Sequence, residues 1–197
     1  MVWSDASTLV LASASPQRRA ILQQLGIAFD VRPTHVAELE AGEPAAVAQE
    51  NARRKAQAAR AALHPTHDAS AVVLACDTVV ALDGVVYGKP QDAADAQRIL
   101  GALAGRTHEV LGALAIAAPD GVLRERTQRT RVTFAALSAG QIEAYVETQE
   151  WAGRAGGYAI QGLGAVLVEC IEGDYLNVVG LPVPALRGLV QGLVRGF

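Results

Sequence analysis

The chain has 197 residues, of which 51% are hydrophobic and 19% are charged, a composition typical of a globular protein that buries a sizeable core. A net charge of −3 and a pI near 5.8 argue against a general nucleic-acid binder, which would need a strong basic field. The chain shows no secretory signal pattern and no run of the roughly 20 apolar residues that span a bilayer. We therefore expect a cytoplasmic protein without a membrane partner.

The two cysteines, Cys76 and Cys170, lie within apolar runs and lack the spacing of a metal site or a redox motif. This pattern predicts two buried free thiols. Free thiols are typical of proteins in a reducing compartment.

The chain opens with an apolar run and a capped helix. Residues 8–12 predict a short buried strand, and Ser15 offers an N-cap just before the first helical position. Arg18 and Arg19 follow at the positive end of this helix, where carboxylates are preferred. We therefore expect a negatively charged partner at this helix start.

The rest of the chain alternates between strands and helices. Further strands are expected at 27–33, 69–82, 85–88, 107–118, 122–137 and 165–171, with a loop and short strand at 173–182. Helices are expected at 16–26, 44–63, 93–105, 139–148 and 183–197, the fourth with a capping box formed by Ser138 and Gln141. The pattern predicts an α/β fold with a mixed β-sheet flanked by helices, arranged as one domain over 1–197 or as two lobes around a cleft.

Asp77 interrupts an otherwise apolar strand. An isolated carboxylate there costs several kcal/mol unless it is paired, hydrogen-bonded or bound to a metal. It is either a structural residue paired with an arginine or a functional acid near the carboxyl end of a central strand. The second interpretation is favoured, because α/β sheets place their sites at that edge.

Cationic residues stand at several turns and helix starts, namely Arg18 and Arg19, Lys55, Lys89 and Arg154. Each one alone is typical of a solvated surface charge. Their shared placement beside Ser, Gly or Pro favours a polyphosphate cradle, since exposed backbone N–H groups and cations converge at such places. The P-loop and dinucleotide-binding motifs are both absent from the sequence.

An acidic loop contains Glu38, Glu40 and Glu43. Such a cluster is often a solvated loop. The functional alternative is that one of its carboxylates joins Asp77 in binding Mg²⁺ or Mn²⁺, which prefer oxygen ligands and substrate phosphates.

Five stretches together resemble the Maf family of nucleoside triphosphate pyrophosphatases. They are LASASPQRRAILQQLGI, ENARRKAQA, ACDTVVALDGVVYGKPQD, GGYAIQGLGA and GDYLNVVGLPV, in the order and spacing of the family over almost the whole chain. The resemblance implies a Maf/inosine-triphosphatase-like α/β fold with a central nucleotide-binding cleft. It also implies attack of water on the α-phosphorus of a nucleoside triphosphate, release of pyrophosphate, and a divalent cation (Mg²⁺ or Mn²⁺). A homodimer is common in the family, while the sequence itself leaves the oligomeric state open.

The resemblance also assigns roles to residues. Asp77 matches the proton acceptor and Glu38 matches an acidic residue of the cleft, so these two carboxylates are the expected metal ligands. Arg19 is expected to be a solvated neighbour of the phosphate-binding arginine. Substrate binding is assigned to Ser13, Ser15, Arg18, Lys55, Lys89 and Gln161.

Base preference is expected to depend on Gln17, Thr78 and Gln161. Thr78 and Gln161 match the subgroup that hydrolyses dTTP and UTP, whereas Gln17 stands where the family commonly has Arg. Arg154 similarly replaces a common Lys. We therefore predict a preference for dTTP and UTP with a reduced margin, in an enzyme that can also remove non-standard nucleotides. A 7-methyl-GTP or broad-specificity pyrophosphatase is the alternative.

Two non-enzymatic functions remain as alternatives. One is a nucleotide-binding regulator of cell division without turnover. The other is an RNA-binding or tRNA-modifying module, suggested by four arginines on one predicted strand: Arg124, Arg126, Arg129 and Arg131. The combination of Asp77, Lys55 and Lys89 favours catalysis, and an acidic pI with few aromatic residues disfavours a stable nucleic-acid partner.

Overall fold

The computed structural model describes residues 8–190 and two short terminal strands. The strands are β1 (Val2–Trp3), β2 (Leu9–Leu11), β3 (Phe29–Val31), β4 (Val72–Leu82), β5 (Val85–Tyr87), β6 (Thr107–Ala117), β7 (Leu123–Phe134), β8 (Val168–Glu172) and β9 (Val194–Arg195). The helices are α1 (Pro16–Gln24), α2 (Pro44–Ala61), α3 (Ala93–Leu103), α4 (Ala139–Glu147), α5 (Tyr175–Val179) and α6 (Val183–Val190), with 3₁₀ helices at Ala155–Gly157 and Leu163–Leu167. No helix in these described ranges has the length and apolar character needed to cross a membrane.

Seven strands form one mixed sheet in the order β3-β2-β4-β6-β7-β8, with β5 paired to β4 as a hairpin. The strands β3, β2 and β4 are parallel to one another, and the pairs from β4 through β8 are antiparallel. β1 pairs with β9 in a separate two-stranded ribbon. The predicted mixed α/β sheet flanked by helices is confirmed.

The two faces of the central strand β4 serve different helices. Because side chains alternate along a strand, Val73 and Ala75 pack with α2 while Leu74 and Cys76 pack with α1 and α6. The alternation continues into the polar part of the strand. Asp77 consequently faces α2, and Thr78 faces the N-terminus of α1.

The long helix α2 begins at a cap formed by Glu43. The Glu43 carboxylate accepts hydrogen bonds from the N–H groups of Ala45 and Ala46 at 3.1 and 2.7 Å, and Pro44 occupies the first turn. The helix then lays an alanine-rich face on the sheet: Val47, Ala48, Ala52, Ala56 and Ala59. Small side chains allow a close approach, so polar residues on this same face come within reach of Asp77.

The C-terminal third differs from the sequence prediction. The segment predicted as a loop and short strand at 173–182 contains α5, capped by Asp174 and ended at Gly180, where φ is +130°. A short run rich in Val and Leu has no periodicity that separates strand from helix. The predicted strand at 165–171 begins only at Val168, because a 3₁₀ helix precedes it.

The closing helix predicted at 183–197 was too long. It ends at Val190, and residues 194–195 form β9. Pairing with β1 supplies the backbone hydrogen bonds of these two residues, so the chain there is extended. Residues 191–193 and 196–197 lie outside the described residues.

The prediction for the cysteines was half right. Cys76 is a buried free thiol in β4, and burial raises its pKa to about 11. Cys170 is a free thiol but is exposed, so its predicted burial was wrong. The reason is its position in β8, which forms one edge of the main sheet.

Candidate active site

Asp77 is buried in the middle of β4, with only 7% of its surface exposed. Its Oδ1 accepts a 2.6 Å hydrogen bond from Lys55 Nζ, and its Oδ2 accepts a 3.3 Å hydrogen bond from Asn51 Nδ2. The structural alternative anticipated an arginine partner. The partner is instead Lys55, a residue that the sequence had already assigned to the site.

Both residues that donate hydrogen bonds to Asp77 belong to helix α2. Asn51 and Lys55 are four residues apart, so they occupy one face of the helix, and 2% and 9% of their surfaces are exposed. The low exposure of a lysine and a carboxylate in contact means that each compensates the charge of the other.

Asn51 is a site residue that the sequence analysis missed. Its Oδ1 accepts from the N–H of Leu39 at 2.7 Å, and its Nδ2 donates to the Leu39 carbonyl at 3.0 Å. These bonds fix the loop that carries Glu38 against Asp77. An asparagine four residues before Lys55 within an alanine-rich helical face was the available clue.

Glu38 lies on the other side of the same lysine. Its Oε1 is 2.7 Å from Lys55 Nζ. Burial raises the pKa of Glu38, but the hydrogen bond and charge of Lys55 and the charges of Lys89 and Arg18 lower it, and the net pKa lies below its usual value. Lys55 is thus in direct contact with Glu38, whereas Lys89 and Arg18 act on it through their charges.

Arg18 is held by polar contacts near the N-terminus of α1. Its Nη1 donates to Ser13 Oγ at 2.9 Å, its Nη2 donates to Thr78 Oγ1 at 3.1 Å, and its Nε donates to the Gly180 carbonyl at 3.0 Å. A guanidinium has five N–H donors, so these contacts fix its plane while engaging three of them. The arrangement presents a fixed cation beside the strand that carries Asp77.

A family model described as Maf-like protein matches residues 8–193. The chain belongs to the Maf-like protein family. It is 46% identical over 187 residues to a dTTP/UTP pyrophosphatase of Moorella thermoacetica, covering 93% of this chain and 94% of the relative. It is 43% identical over 187 residues to a dTTP/UTP pyrophosphatase of Pyrococcus furiosus, with the same two coverages. These findings confirm the family predicted from the five sequence stretches.

The fold of this Maf-like protein also resembles a solved structure. The Staphylococcus aureus Ham1 protein superposes with a TM-score of 0.54 at 16% identity, covering 94% of this chain and 98% of that one. At this identity the likeness concerns the fold alone. It supports the mixed α/β architecture predicted from the sequence.

Ser15 and Gln17 lie at the N-terminus of α1. Ser15 Oγ accepts a long 3.5 Å hydrogen bond from the N–H of Arg18 and donates at 3.1 Å to Gln17 Oε1. Ser15 thus caps the helix and orients the amide of Gln17 in this Maf-like protein. Contact of either side chain with a substrate stays a prediction.

Gln161 and Arg154 both belong to the glycine-rich loop but have different surroundings. Gln161 is exposed at the turn between the two 3₁₀ helices. The N–H of Gly156 donates to the Gly88 carbonyl at 3.0 Å, which ties this loop to the residue before Lys89. The charge of Arg154 lowers the pKa of Glu150, whereas the cations that act on Glu38 are Lys55, Lys89 and Arg18.

The residues proposed as metal ligands fit a divalent cation in part. Within residues 8–190, the structure has no group of three or more His, Cys, Asp or Glu side chains that could hold a metal. Glu38 and Asp77 nevertheless both contact the Lys55 ammonium, at 2.7 and 2.6 Å, so their oxygens lie around a single cationic position. Two carboxylates suit Mg²⁺ or Mn²⁺, which take their remaining ligands from water and substrate phosphates.

The arginine-rich strand β7 is largely paired with carboxylates. Arg129 contacts Glu109 at 3.1 Å and Arg131 contacts Glu172 at 2.9 Å. These ion pairs reduce the positive charge that β7 presents to solvent. The arrangement disfavours the RNA-binding alternative, which depends on an unneutralised basic strip.

A pocket of about 340 Å³ is lined by residues other than Asp77, Lys55, Asn51 and Glu38. Its lining includes Glu43 at the start of α2, the β4–β5 turn at Asp83, and Arg131 of β7. None of the residues predicted for catalysis or substrate binding lines it. The candidate active site is therefore defined by its side chains rather than by this pocket.

Proposed function

We propose that this Maf-like protein hydrolyses nucleoside triphosphates to nucleoside monophosphates and pyrophosphate, with dTTP and UTP as preferred substrates. Relatives named dTTP/UTP pyrophosphatase, 40–46% identical over at least 92% of the chain, support the proposal. The observation that carries it is the placement of Lys55 Nζ between Asp77 and Glu38, at 2.6 and 2.7 Å. The next residue of the strand that carries Asp77 is Thr78, which accepts from Arg18.

The cations bind the polyphosphate. Lys55 contacts Glu38 and the charges of Arg18 and Lys89 act on the same carboxylate, so cationic groups are available to a polyphosphate in a chain whose net charge is −3. Negative charge develops on the phosphate oxygens as water attacks. Cations that are already in position stabilise that charge without reorganisation.

Asp77 orients the attacking water and takes its proton. As the bond from water to the α-phosphorus forms, the bond from that phosphorus to the bridging oxygen breaks. Pyrophosphate leaves with the electron pair of the broken bond.

A divalent cation would be held by Glu38 and Asp77. When bound, it supplies positive charge to the phosphate oxygens. Lys55 lies between the two carboxylates and can then direct its ammonium toward the phosphates. Its four-carbon stem gives the ammonium the freedom to move between these positions.

Base preference rests on Thr78, Gln161 and Gln17. Thr78 Oγ1 accepts from Arg18, so its own O–H remains available to donate to a base. Gln161 is exposed and offers an amide that can both donate to and accept from a pyrimidine edge. Gln17 is a neutral amide at a position where the family resemblance implies Arg. We therefore expect a smaller ratio of kcat/KM for dTTP and UTP over the other triphosphates. Preference for 7-methyl-GTP, or broad specificity, is the alternative outcome.

We further propose that the protein acts in the cytoplasm as a homodimer. The family resemblance and the two free cysteine thiols support this assignment.

The decisive experiment measures pyrophosphate release from dTTP, UTP, CTP, ATP, GTP and 7-methyl-GTP, each with and without Mn²⁺. The proposal expects metal-dependent turnover that is fastest for dTTP and UTP. Tight nucleotide binding without release of pyrophosphate from any substrate would contradict the enzyme and favour the regulatory alternative.

A further inference from the structure

The carboxylate of Glu150 accepts hydrogen bonds from the backbone that follows Gln161. Its Oε1 accepts a hydrogen bond from the N–H of Leu163 at 2.9 Å, and its Oε2 accepts from the N–H of Gly164 at 2.7 Å. Glu150 lies after α4, more than ten residues earlier in the chain. The contact therefore ties the loop to a separate part of the fold.

The Tyr145 hydroxyl accepts a hydrogen bond from the backbone that precedes Gln161. Its hydroxyl oxygen accepts from the N–H of Ala159 at 3.2 Å, and its O–H donates to Glu150 Oε2 at 3.0 Å. Tyr145 is a residue of α4 with 4% of its surface exposed. One buried tyrosine and one carboxylate thus hold both flanks of Gln161 and are bonded to each other.

Two glycines of the loop leave the space that these hydrogen bonds require. A Cβ on Gly162 would lie 2.0 Å from Glu150 Oε1, and a Cβ on Gly164 would lie 2.7 Å from the carbonyl oxygen of Ala159. Any side chain at position 162 would displace the carboxylate. The spacing of the glycines in QGLGA is therefore explained by the approach of Glu150 and by the closure of the loop on Ala159.

The charges around Glu150 favour its ionised form. Burial raises the pKa of Glu150, but the N–H groups of Leu163 and Gly164, the Tyr145 hydroxyl and the charge of Arg154 lower it, and the net pKa lies below its usual value. Hydrogen bonds to an ionised carboxylate are shorter and stronger than those to a neutral acceptor. The loop is thus held by charge-assisted bonds.

We propose that Tyr145 and Glu150 are positioning residues that set the base preference by holding Gln161 in the orientation that reads the nucleobase. The inference rests on the proposed function, since it concerns discrimination among triphosphates. Neither residue contacts the Asp77 cluster, so their loss changes discrimination among bases more than the chemical step.

The first test compares kcat and KM for dTTP and CTP in the wild type and in Glu150→Ala, Gly162→Ala and Gln161→Ala. We expect each variant to lower the dTTP/CTP ratio of kcat/KM by about tenfold, the size of one lost hydrogen bond, mainly through KM for dTTP. The double variant Glu150→Ala/Gln161→Ala should lose no more than Gln161→Ala alone. Glu147→Gln, an exposed acid on α4, is the matched control and should keep the wild-type ratio.

A second measurement needs no nucleotide. Amide hydrogen exchange should show Leu163 and Gly164 protected in the wild type and unprotected in Glu150→Ala, because the carboxylate that accepts from them is gone. Tyr145→Phe deletes the hydroxyl that accepts from Ala159 and donates to Glu150, so the Ala159 amide should lose its protection while Leu163 and Gly164, still bonded to Glu150, keep theirs. It keeps the inference testable if Glu150→Ala fails to fold.

The outcomes separate this inference from the proposed function. A wild type that discriminates between dTTP and CTP, with a Glu150→Ala variant of unchanged ratio, would overturn the positioning role and leave the pyrophosphatase standing. A wild type without triphosphate hydrolysis would overturn both.

Discussion

Lys55 Nζ lies 2.6 Å from Asp77 Oδ1, and both residues are less than 10% exposed. Removing one partner of such a pair leaves an uncompensated buried charge, which costs roughly 3–5 kcal/mol of stability. Arranging a buried ion pair within an otherwise apolar layer is therefore expensive. In the function proposed above, the contact of this pair with Glu38 and the place of Asp77 on the strand that also carries Thr78, a partner of Arg18, make the pair part of the phosphate-binding site.

The first prediction concerns Asp77→Asn. The amide keeps the shape of the side chain and can still accept from Lys55, whose charge remains paired with Glu38 at 2.7 Å, so the fold should persist, but the amide cannot take a proton from water. We expect kcat to fall at least about 100-fold, the usual contribution of a positioned acid–base group. Steady-state kinetics with a thermal melt checks this, with exposed Asp30→Asn as control. Turnover near the wild-type rate would remove Asp77 from the mechanism.

The second prediction concerns the divalent cation. Excess EDTA should abolish turnover, and Mg²⁺ or Mn²⁺ should restore it. Glu38→Gln should raise the Mn²⁺ concentration for half-maximal activity about tenfold, since it removes one of the two carboxylates proposed as ligands. Direct Mn²⁺ binding measured by electron paramagnetic resonance should weaken in parallel.

Glu40→Gln, in the same loop, is the matched control for this metal prediction. It should leave both Mn²⁺ binding and activity unchanged. Full activity in excess chelator would contradict a role for the metal.

The third prediction concerns Gln17→Arg. The family resemblance implies an arginine at this position, so with that cation in place the preference for dTTP and UTP over ATP should widen by about tenfold in kcat/KM. The measurement compares dTTP, UTP, CTP, ATP, GTP and 7-methyl-GTP on both proteins. Gln23→Arg, at an exposed position of α1, controls for added charge. A wild-type preference for 7-methyl-GTP would overturn the assigned base preference while leaving the family membership unaffected.

The fourth prediction is acid destabilisation through His108. This residue of β6 is 1% exposed, its Nε2 lies 2.9 Å from the Tyr158 hydroxyl, and burial lowers its pKa from 6.5 to about 4. Between these two pH values the unfolded chain binds a proton that the folded protein does not. Stability is therefore full above pH 6.5 and falls as the pH drops toward 4, by about 3 kcal/mol.

Denaturant titrations from pH 4 to 7 test the histidine directly. Between pH 7 and 4, His108→Leu should lose less unfolding free energy than the wild type does. The control His35→Leu, at an exposed position, should lose as much as the wild type. If the unfolding free energy of His108→Leu depends on pH as steeply as that of the wild type, His108 does not gain a proton on unfolding.

Parts of the site could be predicted from the sequence because they break a local pattern. A carboxylate within an apolar strand marks Asp77, and the alternation of β4 fixes which neighbours share its face. The lysine that pairs with it could not be distinguished from an arginine. That choice depends on where α2 crosses the sheet, which no local pattern specifies.

Other parts depend on distant partners. Asn51 is defined by contacts with Leu39 and Asp77, 12 and 26 residues away. The short helix α5 resembles a strand in its residues, but buried Asn177 donates to the Val110 carbonyl of β6 and fixes the segment against the sheet. Cys170 lies in a run that is apolar in sequence but forms the sheet edge, so its exposure followed from topology alone.

The position of bond cleavage tests the central claim most directly. The protein should be incubated with dTTP in water enriched in ¹⁸O, and the products separated and analysed by mass spectrometry. The account predicts equal amounts of dTMP and pyrophosphate, with the heavy oxygen in the phosphate of dTMP. Formation of dTDP and orthophosphate, or heavy oxygen in the pyrophosphate, would contradict it.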